Sequence, residues 1–77
     1  MKYRIGTKFL LYWDSTDTSP CDIREIIGYV IDNTDRVKYL VNSSQSEYSD
    51  QYDLYAETDI LDEISESYER VKMVEPV

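Results

Sequence analysis

Thr7, Phe9, Leu11 and Trp13 alternate along the chain with Lys8, Leu10 and Tyr12. A period of two with this aromatic and apolar content predicts a β-strand. The second set is itself partly apolar, so the strand is expected to be covered on both sides. A polar run with one proline follows, Asp14 to Asp22. Side chains of this type bond to their own backbone and favour turns, so a loop of roughly eight residues is predicted.

Ile23 to Ile31 reads as a second strand, with Ile23, Ile27, Tyr29 and Ile31 on one face and Ile26 and Val30 on the other. Gly28 stands in its middle, where glycine marks a bulge or a bend. Asn33-Thr34-Asp35 then connects to Arg36–Val41, where Val37, Tyr39 and Val41 alternate with Lys38 and Leu40. Two β-rich runs joined by a short Asn/Asp turn predict a hairpin. Asn42 to Ser49 reads as a loop, and Gln51 to Ala56 as a weaker strand with Tyr52, Leu54 and Ala56 on one side.

The period then changes. Ile60, Leu61, Ile64, Tyr68 and Val71 recur at helical spacing, which predicts a helix over 58–72. Thr58 or Asp59 can cap it, and Asp59, Asp62 and Glu63 suit the positive end of its dipole. Arg70 and Lys72 suit the negative end, and Glu66 is placed to reach Arg70 one turn on. Pro76 stops the element. The expected fold class is α+β and β-rich. It comprises a small twisted antiparallel sheet or small barrel of about four strands over 3–56, then a C-terminal helix, in one domain spanning 1–77.

A chain of 77 residues builds only a small core. Cys21 is its one cysteine, which excludes an intrachain disulfide, and the sequence has no histidine, which removes the usual zinc patterns. A lone cysteine behind a start without signal character points to a reducing interior, the cytoplasm. The apolar run Phe9 to Trp13 is too short to span a membrane. No phosphate-binding glycine loop and no nucleophile motif is present. The carboxylates between Glu47 and Glu63 lack the spaced loop and glycine of a calcium site. Neither catalysis, nor a cofactor, nor a metal is expected, and Cys21 reads as structural or incidental.

Charge changes the picture most. The chain carries sixteen acids and eight bases, for a net charge of −8. Met1 to Lys38 is balanced, whereas Tyr39 to Glu69 holds nine acids and no base over 31 residues. Such asymmetry disfavours nucleic acid as a direct partner, because phosphate is repelled, and favours a basic protein surface. Charge runs also serve solubility alone. Two features point to an interface: the absence of lysine and arginine, and the interleaving of Tyr48, Tyr52 and Tyr55 with Glu47, Asp50, Asp53 and Glu57. Tyrosine supplies large, rigid contact area at low entropic cost. Spaced carboxylates can stand in for phosphates, and flat rings for bases. The candidate partner-binding residues are Glu47, Tyr48, Asp50, Tyr52, Asp53, Glu57, Asp59, Asp62, Glu63 and Glu66. Tyr29 and Tyr39, on apolar faces, are expected in the core, and Tyr48 and Tyr52 on the surface.

The segments Ile5-Gly6-Thr7-Lys8-Phe9, Ile26-Ile27-Gly28-Tyr29-Val30-Ile31, Val37-Lys38-Tyr39-Leu40-Val41 and Tyr55-Ala56-Glu57-Thr58-Asp59-Ile60-Leu61 follow a recognisable order. Strand, polar loop, long strand with a central glycine, tight turn, strand and short acidic segment: this resembles the Src-homology-3-like small barrels, including Tudor-like and phage accessory domains. Those barrels usually close with a fifth short strand, from which the expected C-terminal helix departs. The resemblance implies a binding module and assigns no site residue here. In size, charge and style the chain is also similar to phage-encoded anti-restriction, anti-CRISPR and uracil-glycosylase inhibitors. The function expected is therefore a small acidic inhibitor, a nucleic-acid mimic that occupies the basic channel of a nuclease or related enzyme in the host cytoplasm. The alternative is an accessory module that assembles with itself or a larger complex through an apolar patch at Phe9, Trp13 or Ile23.

Overall fold

The structure, a computed structural model, describes residues 2–45 and 51–77. Five strands and one helix follow one another as β1 (Lys8–Tyr12), β2 (Asp22–Ile31), β3 (Val37–Ser43), β4 (Asp53–Ala56), α1 (Ile60–Ser65) and β5 (Arg70–Val74). All ladders are antiparallel and the sheet is open, in the order β4-β3-β2-β1-β5, with β4 and β5 at its edges. The fold is β-rich α+β.

Strand β1 lies between β2 and β5, so both of its edges are paired, and covered side chains stand on both of its faces. Phe9 and Leu11 point into the core with no exposed surface. On the outer face Leu10 is half-buried, and Tyr12 is buried beneath the guanidinium of Arg70, which sits 3.9 Å from the ring centre.

The β2–β3 hairpin forms where the Asn/Asp turn predicts it. Asp32 organises the turn: its Oδ1 accepts from the Thr34 hydroxyl and from the amides of Thr34 and Arg36. Asp35 takes a left-handed φ of 61°, which a short polar side chain tolerates. The ladder shifts register between Ile26 and Gly28, the bulge anticipated at the glycine. That shift corrects the expected faces of β2. Ile23 pairs with Leu10 on the outer face, whereas Tyr29 and Ile31 pair with Tyr39 and Val37 on the inner one. One extra residue inverts every position beyond it. The far end of the hairpin runs past the core, so Tyr29 remains 41% exposed while Tyr39 is fully buried. The expectation that both tyrosines are core thus holds for Tyr39 only.

The segment after β4 departs most from expectation. The helix covers only Ile60–Ser65, not 58–72, and Arg70–Val74 is a fifth strand paired to β1 with Leu11 opposite Val71. Ile60 and Ile64 bury as the spacing predicts, Leu61 does not and stays exposed, and Tyr68 and Val71 also pack on the core, from the connection and the strand. A helical and an extended path can place the same apolar residues inward. The extended path additionally satisfies the backbone groups along the free edge of β1. Arg70 and Lys72 consequently lie in a strand, not at a helix end. Arg70 donates to the Asp17 carbonyl at 3.0 Å and not to Glu66. Asp59 occupies the N-cap position without a side-chain cap bond.

The core joins Tyr3, Phe9, Leu11, Ile26, Tyr39, Val41, Ile60 and Ile64, so α1 closes over the inner face of the sheet. The N-terminal segment docks beside it. The Tyr3 amide donates to the Tyr39 hydroxyl, which donates in turn to Glu57.

Candidate protein-binding surface

The alternation of strand residues sorts charge between the two sides of the sheet. Lys8, Lys38, Arg70 and Lys72 all fall on the outer face, opposite the side that Phe9, Leu11, Tyr39 and Val41 bury. Of the strand bases, Arg24 alone points inward, and it is committed to Asp22 and Tyr55. The acids of the second half lie on the helix side and along β4. Among the described residues three ion pairs occur, Lys8–Glu25, Arg24–Asp22 and Lys38–Asp32. None of them engages an acid of 51–69.

The predicted interface residues separate into four groups. Glu47, Tyr48 and Asp50 lie outside the described residues. Tyr52 immediately precedes β4 and Asp53 opens it, both exposed, with Tyr52 retaining 53% of its surface. Asp59, Asp62, Glu63 and Glu66 are exposed along and around α1. Glu57 is different: half-buried, its Oε2 accepts from the Lys2 amide at 2.8 Å and from the Tyr39 hydroxyl. Those bonds hold its carboxyl below the usual range, so Glu57 ties down the N-terminal segment. Among the candidate interface residues, Glu57 thus also holds the chain's own N-terminal segment.

Strand β4 keeps Leu54 and Ala56 on one side, as the alternation predicts. Leu54 and Ala56 stand on the outer side, opposite Leu40 and Lys38, while Tyr55 faces inward opposite Tyr39. Burial raises the Tyr55 phenol, Arg24 opposes that, and the fields of Asp53 and Glu63 add to it. Asp53 and Glu63, ten residues apart in the sequence, both act on this one phenol.

Sequence reading missed the cluster beneath Tyr55. Asp22, assigned to a loop, opens β2 and is only 5% exposed. It accepts from the hydroxyls of Ser43 and Ser44 and from Arg24 Nε at 3.2 Å. Burial pushes its carboxyl up, but the two serines and Arg24 together bring it below 3.8. Arg24 donates onward to the Tyr55 hydroxyl at 2.8 Å and lies 6.0 Å from the Tyr68 ring. Tyr68 in turn stacks on Trp13 at 4.9 Å, and Trp13 is 61% exposed. Of the apolar residues weighed at the sequence level, Trp13 is the exposed one, whereas Phe9 is buried and Ile23 half-buried.

An open cleft at the opposite end is lined by Asp35, Arg36, Val37, Ala56, Glu57, Thr58 and Asp59. Among the described residues no group of three potential ligands could hold a metal ion, and no helix is long and apolar enough to cross a membrane. No family model, curated protein or solved structure matches the chain.

Proposed function

We propose that this protein binds a basic protein surface through the acidic side of its sheet, and that it acts there as a compact inhibitor imitating nucleic acid. The observation that carries this reading is the segregation of charge. Asp53, Asp59, Asp62, Glu63 and Glu66 are exposed without an ion-pair partner among the described residues, while the strand bases Lys8, Lys38, Arg70 and Lys72 face the other way. A surface built only for solubility gains nothing from such sorting, since interspersed signs serve as well. The tyrosines beside the acids, Tyr52 and Tyr55, supply flat contact area. The partner is a nucleic-acid enzyme with a basic channel, in the cytoplasm of a host cell, and the protein performs no chemistry of its own.

Binding of this kind is steered by long-range charge and falls steeply with salt. The test is to capture partners at low salt, identify any basic nucleic-acid enzyme, and measure its affinity for the unaltered protein and for Asp53→Lys/Asp62→Lys/Glu63→Lys. Loss of binding with the fold intact supports the reading. Equal binding by the reversed protein removes it.

A second reading, an accessory module that assembles through an apolar patch, is favoured by Val30 and Leu54 on the outer face, 43% and 52% exposed. Sedimentation at two concentrations separates the readings, since self-assembly through that face raises the mass with concentration.

A further inference from the structure

Trp13 is the only tryptophan of the chain and, at 61% exposure, a large apolar surface left open to solvent. An exposed indole is ordinary when it stands alone, but this one is held. Its ring stacks on Tyr68 at 4.9 Å with an interplanar angle of 35°, and Tyr68 is itself packed against the core. The loop that follows is equally fixed. Asp14 accepts from the amide and hydroxyl of Thr16, the Asp17 amide returns to the Asp14 carbonyl at 3.1 Å, and Asp17 accepts from the Asp14 amide. The Ser15 amide donates to Glu69 Oε2 at 2.9 Å, and the Glu69 amide donates to the Tyr12 carbonyl. These bonds bring Asp14, next to Trp13, and Glu69, next to Tyr68, to the same rim. Two bases stand nearby and both are committed elsewhere: Arg24, 6.0 Å from the Tyr68 ring, is held by Asp22 and Tyr55, and Arg70 covers Tyr12 on the outer face while donating to the Asp17 carbonyl.

The geometry points to the Trp13–Tyr68 pair as the anchor of the interface, receiving an arginine side chain of the partner on the open indole face between the carboxylates of Asp14 and Glu69. This inference rests on the proposed acidic-surface reading and deepens it by naming where one cation docks. The chemistry favours a guanidinium. It is planar, stacks on an aromatic face, and can donate to two carboxylates at once, which a lysine ammonium does less well. Tryptophan offers the most strongly attracting ring face, and tryptophan and arginine are the residues most often found at interface hot spots. Because the pair is already stacked and the loop already bonded, little ordering entropy is lost on docking.

The test uses the full chain with hexa-arginine amide and hexa-lysine amide as probes, by calorimetry and by the emission of Trp13. The expected result is saturable binding of the arginine peptide with a change in Trp13 emission, weaker binding of the lysine peptide, and about a fivefold loss of arginine-peptide affinity in Trp13→Ala. Trp13→Phe should retain most of the affinity. Binding that leaves Trp13 emission unchanged at saturation, or that Trp13→Ala preserves in full, overturns the anchor while leaving the acidic-surface reading in place. No binding of either peptide by the unaltered protein overturns both. If Trp13→Ala does not fold, the emission of the unaltered protein decides.

Discussion

At the scale of single residues, Asp22 carries more than any other polar group described. It is a nearly buried carboxylate whose charge is met by Arg24 and by the hydroxyls of Ser43 and Ser44. Asp22→Ala leaves the inward-facing guanidinium without its ion partner, so a loss of about 2–3 kcal/mol is expected in urea unfolding. The sign of its pH dependence follows from its lowered pKa. The folded protein holds the carboxylate more strongly than the unfolded chain, whose group titrates near 3.8. The stabilisation is therefore complete above that value and is lost as pH falls through the lower, folded one. The unaltered protein should lose stability more steeply below pH 4 than Asp22→Ala does, and parallel acid curves would contradict the assignment. The two glycines make a second residue-level contrast. Gly6 has φ 96° and lies 3.3 Å, at its hypothetical Cβ, from Pro76; Gly28 has only Leu40 Cδ1 at 4.0 Å. Gly6→Ala should destabilise by roughly 1–2 kcal/mol. Gly28→Ala should be neutral or stabilise by about 0.5 kcal/mol, since the bulge leaves room for a methyl.

Elements were legible in the sequence wherever one period dominated. The β2–β3 hairpin, its Asn/Asp turn and the bulge at Gly28 follow directly from local chemistry at Asp32, Asp35 and the glycine itself. Face assignments beyond Gly28 fail because unbroken alternation through the strand ignores the register shift there, which puts Tyr29 and Ile31 on the inner side. The region after Thr58 failed for another reason. Ile60, Ile64, Tyr68 and Val71 fit a helix, yet the free edge of β1 offers its backbone a full antiparallel ladder, and that long-range partner is invisible locally. What remains of the helix is a six-residue plug anchored by Ile60 and Ile64, both essentially unexposed. Ile64→Ala should cost about 3 kcal/mol, a large part of what so small a domain possesses. Urea unfolding checks this. A cost under about 0.5 kcal/mol would mean the helix does not close the core.

For the whole molecule, the sequence displayed the amount of charge but not its placement. Runs of acids were plain from Tyr39 onward, whereas the retreat of Lys8, Lys38, Arg70 and Lys72 to one face requires the registers of all five strands. Nor does the sequence display the bonds that tie Glu57 to Tyr39 and Lys2, or the stacking of exposed Trp13 on half-buried Tyr68. The radius of gyration, 12.5 Å, is a little above the ~11.5 Å typical of this length, in keeping with a hairpin that overhangs its core. The proposed mimicry depends on this one-sided placement of charge. The most direct measurement is competition: a captured partner, bound to the immobilised protein at low salt, is challenged with duplex DNA in parallel with Asp53→Lys/Asp62→Lys/Glu63→Lys. Displacement by DNA at concentrations near the partner's own affinity for it, with no capture by the reversed protein, is the result predicted. A partner that stays bound under saturating DNA and is captured equally by the reversed protein would contradict the mimicry.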